Sequence, residues 1–201
     1  MTEKYDNKYR VKSTRFEKWD YGWNGAYFIT ICTDKKQNYF GNIVDGEMIL
    51  SDIGNIAYKY WIEIPNHFPF VVLDSFVIMP NHVHGIIILN KENLPIETRQ
   101  CLVSSDIKNC ETASHKRFQN QGKGTISSII GSYKSIVTRR VRLTNPSFSW
   151  QSRFYDHVIR NNKSYTEIAE YIVLNPERWE KDCYHVKRLQ FISVQNNQIK
   201  P

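Results

Sequence analysis

Two histidines separated by one residue, His82-Val83-His84, are side chains whose types and spacing could do chemistry. On an extended strand, residues two apart share a face, so both imidazoles can meet one ion while Val83 points the other way. Imidazoles suit a divalent metal, but two ligands do not hold one, and a third must come from elsewhere in the fold. Gly85 leaves room beside them for a ligand or a second backbone. The pair could equally be hydrogen-bonded strand residues.

A second pairing lies near the C-terminus. Tyr171 and Asn175 are four apart and share one face of a helix. Together they offer an oxygen nucleophile and an amide oxygen as third ligand. The alternative is a core tyrosine on the stripe of Ile168 and Ile172, with its hydroxyl satisfied, and an Asn175 that only ends the helix before Pro176. Cys101, Cys110 and His115 form another metal-capable group. Their spacings match no common zinc site, and a fourth ligand is lacking.

The elements that must position these residues follow from local pattern. Ala26–Thr33 is β-branched and aromatic and predicts a buried strand. Tyr39–Leu50 is two short apolar runs around Asp45-Gly46, the signature of a type I′ hairpin. Ser51 or Asp52 caps a helix with Ile53, Ile56, Ala57 and Tyr60 on one face, and Pro65 ends it. Val71–Met79 and His82–Leu89 are strands joined tightly at Pro80-Asn81. Thr125–Arg142 is a long amphipathic helix, with Ile126, Ile129, Ile130, Tyr133, Val137 and Val141 three or four apart. Trp150–Ile159 is a strand or a bent connection. Ser164-Tyr165-Thr166-Glu167 reads as a capping box that starts the last helix. The order strand, helix, two strands, helix, strand predicts an α+β fold, a ferredoxin-like (split βαβ) antiparallel sheet. Residues 1–20 read as an arm, 21–187 as one domain containing a long loop at 91–123, and 188–201 as a tail.

Composition narrows the function classes. At 201 residues with 41% hydrophobic side chains, the chain can build a real core. Disorder, a coiled coil and a disulfide-stapled miniprotein are excluded. No apolar run approaches the roughly 18–20 residues of a membrane span. The N-terminus lacks the apolar stretch of a signal peptide. Cys32, Cys101, Cys110 and Cys183 form no CxxC pair and suit a reducing compartment, so a cytoplasmic location without a membrane partner is expected. The net charge is +7, and residues 124–201 alone carry twelve basic and six acidic side chains. Between Glu111 and Asp156 there is no carboxylate, only Lys116, Arg117, Lys123, Lys134, Arg139, Arg140, Arg142 and Arg153, interleaved with aromatics. That pattern suits a groove tracking a nucleic-acid backbone, and equally a solvated helix face over core aromatics.

Four runs, in order, resemble a known family: Tyr27-Phe28-Ile29-Thr30-Ile31-Cys32-Thr33, Met79-Pro80-Asn81-His82-Val83-His84-Gly85, Trp150 through Asn161 (WQSRFYDHVIRN), and Glu170-Tyr171-Ile172-Val173-Leu174-Asn175-Pro176. They are similar to the single-tyrosine transposases of the HUH endonuclease superfamily, in particular the REP-associated tyrosine transposases. The resemblance runs from about Arg15 to His185, and residues 91–123 match no motif. It implies the HUH single-tyrosine transposase fold, Mg²⁺ or Mn²⁺ held by His82, His84 and Asn175, and Tyr171 as nucleophile. It also implies single-stranded, hairpin-bearing DNA as partner and a monomer in preference to a homodimer. Trp150, Gln151 and Arg153 match a motif associated with shaping the site or holding DNA. With Lys134, Arg139, Arg140, Arg142 and Arg160 they complete the DNA-binding candidates. The implied activity is nicking and rejoining of DNA through a 5′-phosphotyrosine.

Two other readings compete. A histidine-triad phosphoesterase needs a third histidine where Ile86 stands. A catalytically idle DNA- or RNA-binding descendant of the same fold would have no need of the four central residues this chain keeps.

Overall fold

The computed structural model describes residues 19–93, 122 and 124–185. The N-terminal residues 1–18, most of the loop with Cys101, Cys110 and His115, and the tail at 188–201 lie outside the described residues.

Alternation of side chains builds the centre of the molecule. Strand β1 (Gly25–Cys32) sends Tyr27, Ile29 and Ile31 into the main core, while Ala26, Phe28, Thr30 and Cys32 face the other way. The Asp45-Gly46 turn joins β2 (Gly41–Val44) to β3 (Glu47–Leu50). Its two central residues have φ of 51° and 79°, the type I′ geometry expected of that dipeptide.

Helix α1 (Asp52–Ile62) starts on Ser51, whose side chain accepts from Gly54 N at 3.0 Å. Pro65 does not simply end it. It occupies the first turn of a further short helix, α2 (Ile64–His67), where a missing N–H costs nothing. Strands β4 (Val71–Met79) and β5 (His82–Leu89) follow, with one extra residue in β4 between Leu73 and Phe76.

Helix α3 (Ile126–Val141) opens on a reciprocal Thr125–Ser128 capping box and buries the predicted stripe. After β6 (Tyr155–Ile159) comes α4 (Asn162–Val173). It begins earlier than Ser164: Asn161 is the cap, its side chain accepting from Ser164 N at 2.8 Å. Both residues are good cappers. Asn161 prevails because it takes the extended conformation directly after the strand, which leaves Ser164 N–H as the donor needing a partner.

The four long strands form one antiparallel sheet in the order β4-β5-β1-β6. With α1 and α3 on one face, this is the expected β-α-β-β-α-β arrangement. Trp61, Tyr133, Val137 and Phe148 lie in that core. Helix α4 covers part of the opposite face through Ile168, Ala169, Tyr171 and Ile172, against Phe28, Val77, Ile86 and Ile88. No helix among the described residues is long and apolar enough to cross a membrane.

Candidate metal and tyrosine site

The histidines occupy the α4 side of the sheet. In the β1–β5 register Cys32 lies opposite His82 and Thr30 opposite His84, so strand pairing places both imidazoles on one face, against Cys32 and Thr30. Their rings are 4.3 Å apart, and they are 0% and 1% exposed. His84 Nδ1 lies 2.8 Å from Thr30 Oγ1, and His82 Nδ1 lies 2.8 Å from Asn81 Oδ1. Each ring is therefore held at Nδ1 and offers Nε2 to the site. Gly85 has a different task from the one expected. Its missing Cβ makes room on the opposite face for the Trp61 indole, not for a ligand.

Helix α4 brings the second pair. The Tyr171 hydroxyl is 3.1 Å from His84 Nε2, and the ring packs edge-on to Phe28. Asn175 is 1% exposed, one turn further on. Its Nδ2 donates to Asp182 Oδ2 at 2.9 Å, and Tyr171 Oη lies 3.4 Å from the same oxygen. The fold thus gathers His82, His84, Tyr171 and Asn175 at one place and adds a carboxylate that no sequence pattern indicated. Asp182 follows a 3₁₀ turn at Trp179–Lys181, outside every recognisable motif, and nothing local marks it. Tyr184 comes with it and lays its ring 4.6 Å from that of His82.

One ligand atom from each of His82, His84 and Asp182 lies within 4.8 Å of the other two. Two further observations bear on whether these residues fit a metal. His82 Nε2 and Asn175 Oδ1 are buried and have no hydrogen-bond partner. Asn175 Oδ1 is an acceptor, and so is His82 Nε2 when the ring proton sits on Nδ1 against the Asn81 amide oxygen. A buried acceptor without a donor costs about 1–3 kcal/mol unless a cation answers it. The donor set of two imidazoles, one carboxylate and one amide oxygen fits a divalent ion in principle.

The electrostatics agree. Burial, then the neighbouring His84 and Lys36, hold His82 well below its ordinary pKa. Burial pushes His84 down to about 4, with the Asp182 charge acting against it. Both rings are neutral at pH 7, the form that binds metal. Burial, and next the Asp182 charge, raise the Tyr171 phenol above its ordinary value. Left alone, this tyrosine is a poor nucleophile.

The basic candidates divide. Lys134, Arg139, Arg142, Trp150 and Gln151 line one open groove beside α3. Within it, the Lys134 ammonium donates to the Gln151 and Arg153 carbonyls at 2.7 and 3.0 Å. The Trp150 indole N–H donates to Lys134 O, and its ring packs among Phe40, Tyr133 and Phe148. Those two polar groups are occupied in building the loop. Arg142 Nε donates to Phe148 O. Arg139 and Arg153 are exposed. Arg140 sits elsewhere, its Nε donating to Tyr60 Oη, and Arg160 lines a separate pocket with Asp156 and His157. The groove reaches the end of β1, where Gln151 N donates at 2.9 Å to the carbonyl of Cys32, the residue that pairs with His82 of β5.

This architecture is an α+β sheet with helices similar to the HUH transposase fold. The REP-associated tyrosine transposase solved bound to a REP hairpin superposes with a TM-score of 0.51, covering 86% of this chain and 73% of that one at 20% identity. At that identity the likeness is one of fold. No protein-family profile matches the chain. The chain is 39% identical over 193 residues to an uncharacterized protein of Haemophilus influenzae (strain ATCC 51907 / DSM 11121 / KW20 / Rd), covering 92% of this chain and 99% of that protein, and it belongs to that protein's family.

Proposed function

We propose that this chain is a metal-assisted tyrosine enzyme that nicks and rejoins single-stranded, hairpin-bearing DNA. The observation that carries the reading is the meeting of a tyrosine hydroxyl with two neutral imidazoles, an orphaned amide oxygen and a carboxylate. A structural cluster would pair its buried acceptors, whereas this one leaves two open.

His82, His84 and Asn175 are the proposed holders of Mg²⁺ or Mn²⁺, with Asp182 as an additional ligand. When bound, such an ion supplies positive charge to the scissile phosphate and to the phenol oxygen. Tyr171 attacks the phosphorus. The new bond joins its Oη to phosphorus, the bond to the 3′ oxygen breaks, and the phenolic proton ends on that oxygen as a 3′-hydroxyl. The 5′-phosphotyrosine preserves the phosphodiester, so a 3′-hydroxyl can reverse the attack and join DNA. Phe28 edge-on and Ile168 and Ile172 on the same helix hold the Tyr171 ring over the sheet. Arg139, Arg142, Gln151 and Arg153 are the proposed contacts to the strand backbone.

The test is a labelled hairpin oligonucleotide incubated with the protein and Mn²⁺. A denaturation-resistant protein–DNA adduct is expected, absent with Tyr171→Phe. No adduct on any hairpin-bearing strand from the flanking repeats of the host genome refutes the enzymatic reading, and retained binding would then mark a DNA-binding protein.

A further inference from the structure

Asn81 belongs to a two-residue turn, where asparagine is ordinarily a solvated, conformationally tolerant residue. Here it is 0% exposed and every polar atom of its side chain is used. Its Nδ2 lies 3.2 Å from the carbonyl of Lys36 and 2.9 Å from the carbonyl of Tyr184. Carbonyls only accept, so this end of the amide must be the NH₂ group. The other end is then an oxygen, and it faces His82 Nδ1 at 2.8 Å. An amide oxygen only accepts, so the proton of the neutral ring sits on Nδ1 and the lone pair on Nε2, the buried nitrogen without a partner. Thr30 cannot impose the same choice on His84, because a hydroxyl both donates and accepts.

The same amide has a second effect. Through the Tyr184 carbonyl it ties down the segment that carries Asp182. That segment is held further by Lys36 Nζ on the Cys183 carbonyl at 2.9 Å and by Tyr184 N on Asp182 Oδ1 at 2.7 Å. Asn81 therefore stands between a ligand ring and the carboxylate that faces it.

We infer that Asn81 is a positioning residue that sets the His82 tautomer and, through Tyr184, the placement of Asp182, so that both present lone pairs to one point. Its use to metal chemistry rests on the proposed function. The tautomer and the tie to Tyr184 do not. Aspartate would serve the turn equally well and still accept from Nδ1–H, but it would set a carboxylate against two carbonyl oxygens. Leucine removes both functions.

The experiment uses the full chain without metal at neutral pH, with ring nitrogens read by ¹⁵N NMR, backbone exchange measured at Tyr184 and His185, and Mn²⁺ then titrated. Wild type is expected to show His82 protonated on Nδ1 alone. Asn81→Leu is expected to mix the tautomers and weaken Mn²⁺ binding about ten- to a hundredfold. Asn81→Asp is expected to keep the tautomer while amide exchange at Tyr184 and His185 accelerates. A wild-type His82 protonated on Nε2, or an Asn81→Leu variant with unchanged tautomer and Mn²⁺ affinity, overturns the inference. Should Asn81→Leu fail to fold, unchanged exchange in Asn81→Asp overturns it alone. A wild-type protein that binds no Mn²⁺ refutes the proposed metal site, while the ring spectrum still decides the role of Asn81.

Discussion

Replacing Gly85 by alanine separates two meanings of a glycine beside a metal-capable histidine. If the glycine leaves space for a ligand, the added methyl blocks binding and spares stability. The structure puts the space on the other face. A Cβ at Gly85 falls far inside van der Waals contact with Trp61 Cζ2, 3.2 Å from Trp61 Cε2 and 3.0 Å from Phe76 Cβ. Carbon pairs rest at about 3.5–4.0 Å, so the indole must retreat by around an ångström. It has nowhere to go: Trp61 is fully buried, stacked on Phe76 and edge-on to Tyr133 at 5.2 Å. Overpacking of this kind costs about 1–3 kcal/mol, and a rigid ring at a central strand belongs at the upper end. Alanine recovers about 0.4–1 kcal/mol by restricting the unfolded chain, since this glycine needs no left-handed backbone. The net expectation for Gly85→Ala is a loss of about 2 kcal/mol, or roughly 4–8 °C in Tm for a domain of this size.

Trp61→Phe supplies the control. It removes the ring that the methyl strikes and also a buried indole N–H without a partner, which limits its own cost. In a double-mutant cycle by urea denaturation, Gly85→Ala should be milder in the Trp61→Phe background by about 1–2 kcal/mol. Mn²⁺ affinity should fall only as a consequence, because relief by movement of β5 displaces the adjacent His84. A Gly85→Ala protein with wild-type stability but no Mn²⁺ binding would refute the packing argument and restore the ligand-space reading.

Tyr165→Phe removes the hydrogen bond from α4 to Asp74 on β4 and should cost about 0.5–1 kcal/mol, small because the pair is largely exposed. The Asp74 carboxyl, now held below its usual range mainly by that hydroxyl, should titrate higher by NMR. For the metal-free protein, a folded-state His84 pKa of about 4 against an ordinary 6.5 means that the unfolded chain binds more protons below pH 6.5. The His84 contribution to stability should be complete above that pH and decline by at most about 3 kcal/mol as pH falls to 4, with buried His82 adding a loss of the same sign. His84→Gln should make urea midpoints flatter, though not flat, across this window. Arg139→Ala and Arg153→Ala should each weaken single-stranded DNA binding and lower its salt slope by about 0.7, measured by anisotropy at several ionic strengths. Lys134→Ala should instead lower Tm, because its ammonium braces two loop carbonyls.

The gathering of the candidate site's side chains was largely legible because it rests on short-range periodicity. A two-residue repeat on β5 puts His82 and His84 on one face wherever that strand pairs, and a four-residue step puts Tyr171 and Asn175 on one side of α4. The Asp45-Gly46 hairpin and the stripe on α3 were legible for the same reason. Local pattern failed where two local solutions compete. Asn161 and Ser164 both cap well, and the preceding strand decides between them. Pro65 both stops one helix and suits the first turn of the next. Gly85 was misread because the partner that needs its space, Trp61, is 24 positions away in the chain.

Asp182 was illegible for a deeper reason. No periodicity links it to the histidines. Its place is set by bonds across the fold: Asn81 to Tyr184 O, Lys36 to Cys183 O, and Asn175 to its own carboxylate. Two of those three partners were already in the motifs, as the residue before the first histidine and the residue a turn after the tyrosine. The motif residues thus have a use beyond the one each suggests singly. Asn81 belongs to a tight turn and Asn175 follows a helix end, yet their amides both hold the carboxylate-bearing segment, one at the Tyr184 carbonyl and the other at the Asp182 carboxylate. A side chain that contacts both the site and the segment closing over it is constrained twice, which is why the carboxylate can be positioned to hydrogen-bond accuracy without a pattern of its own.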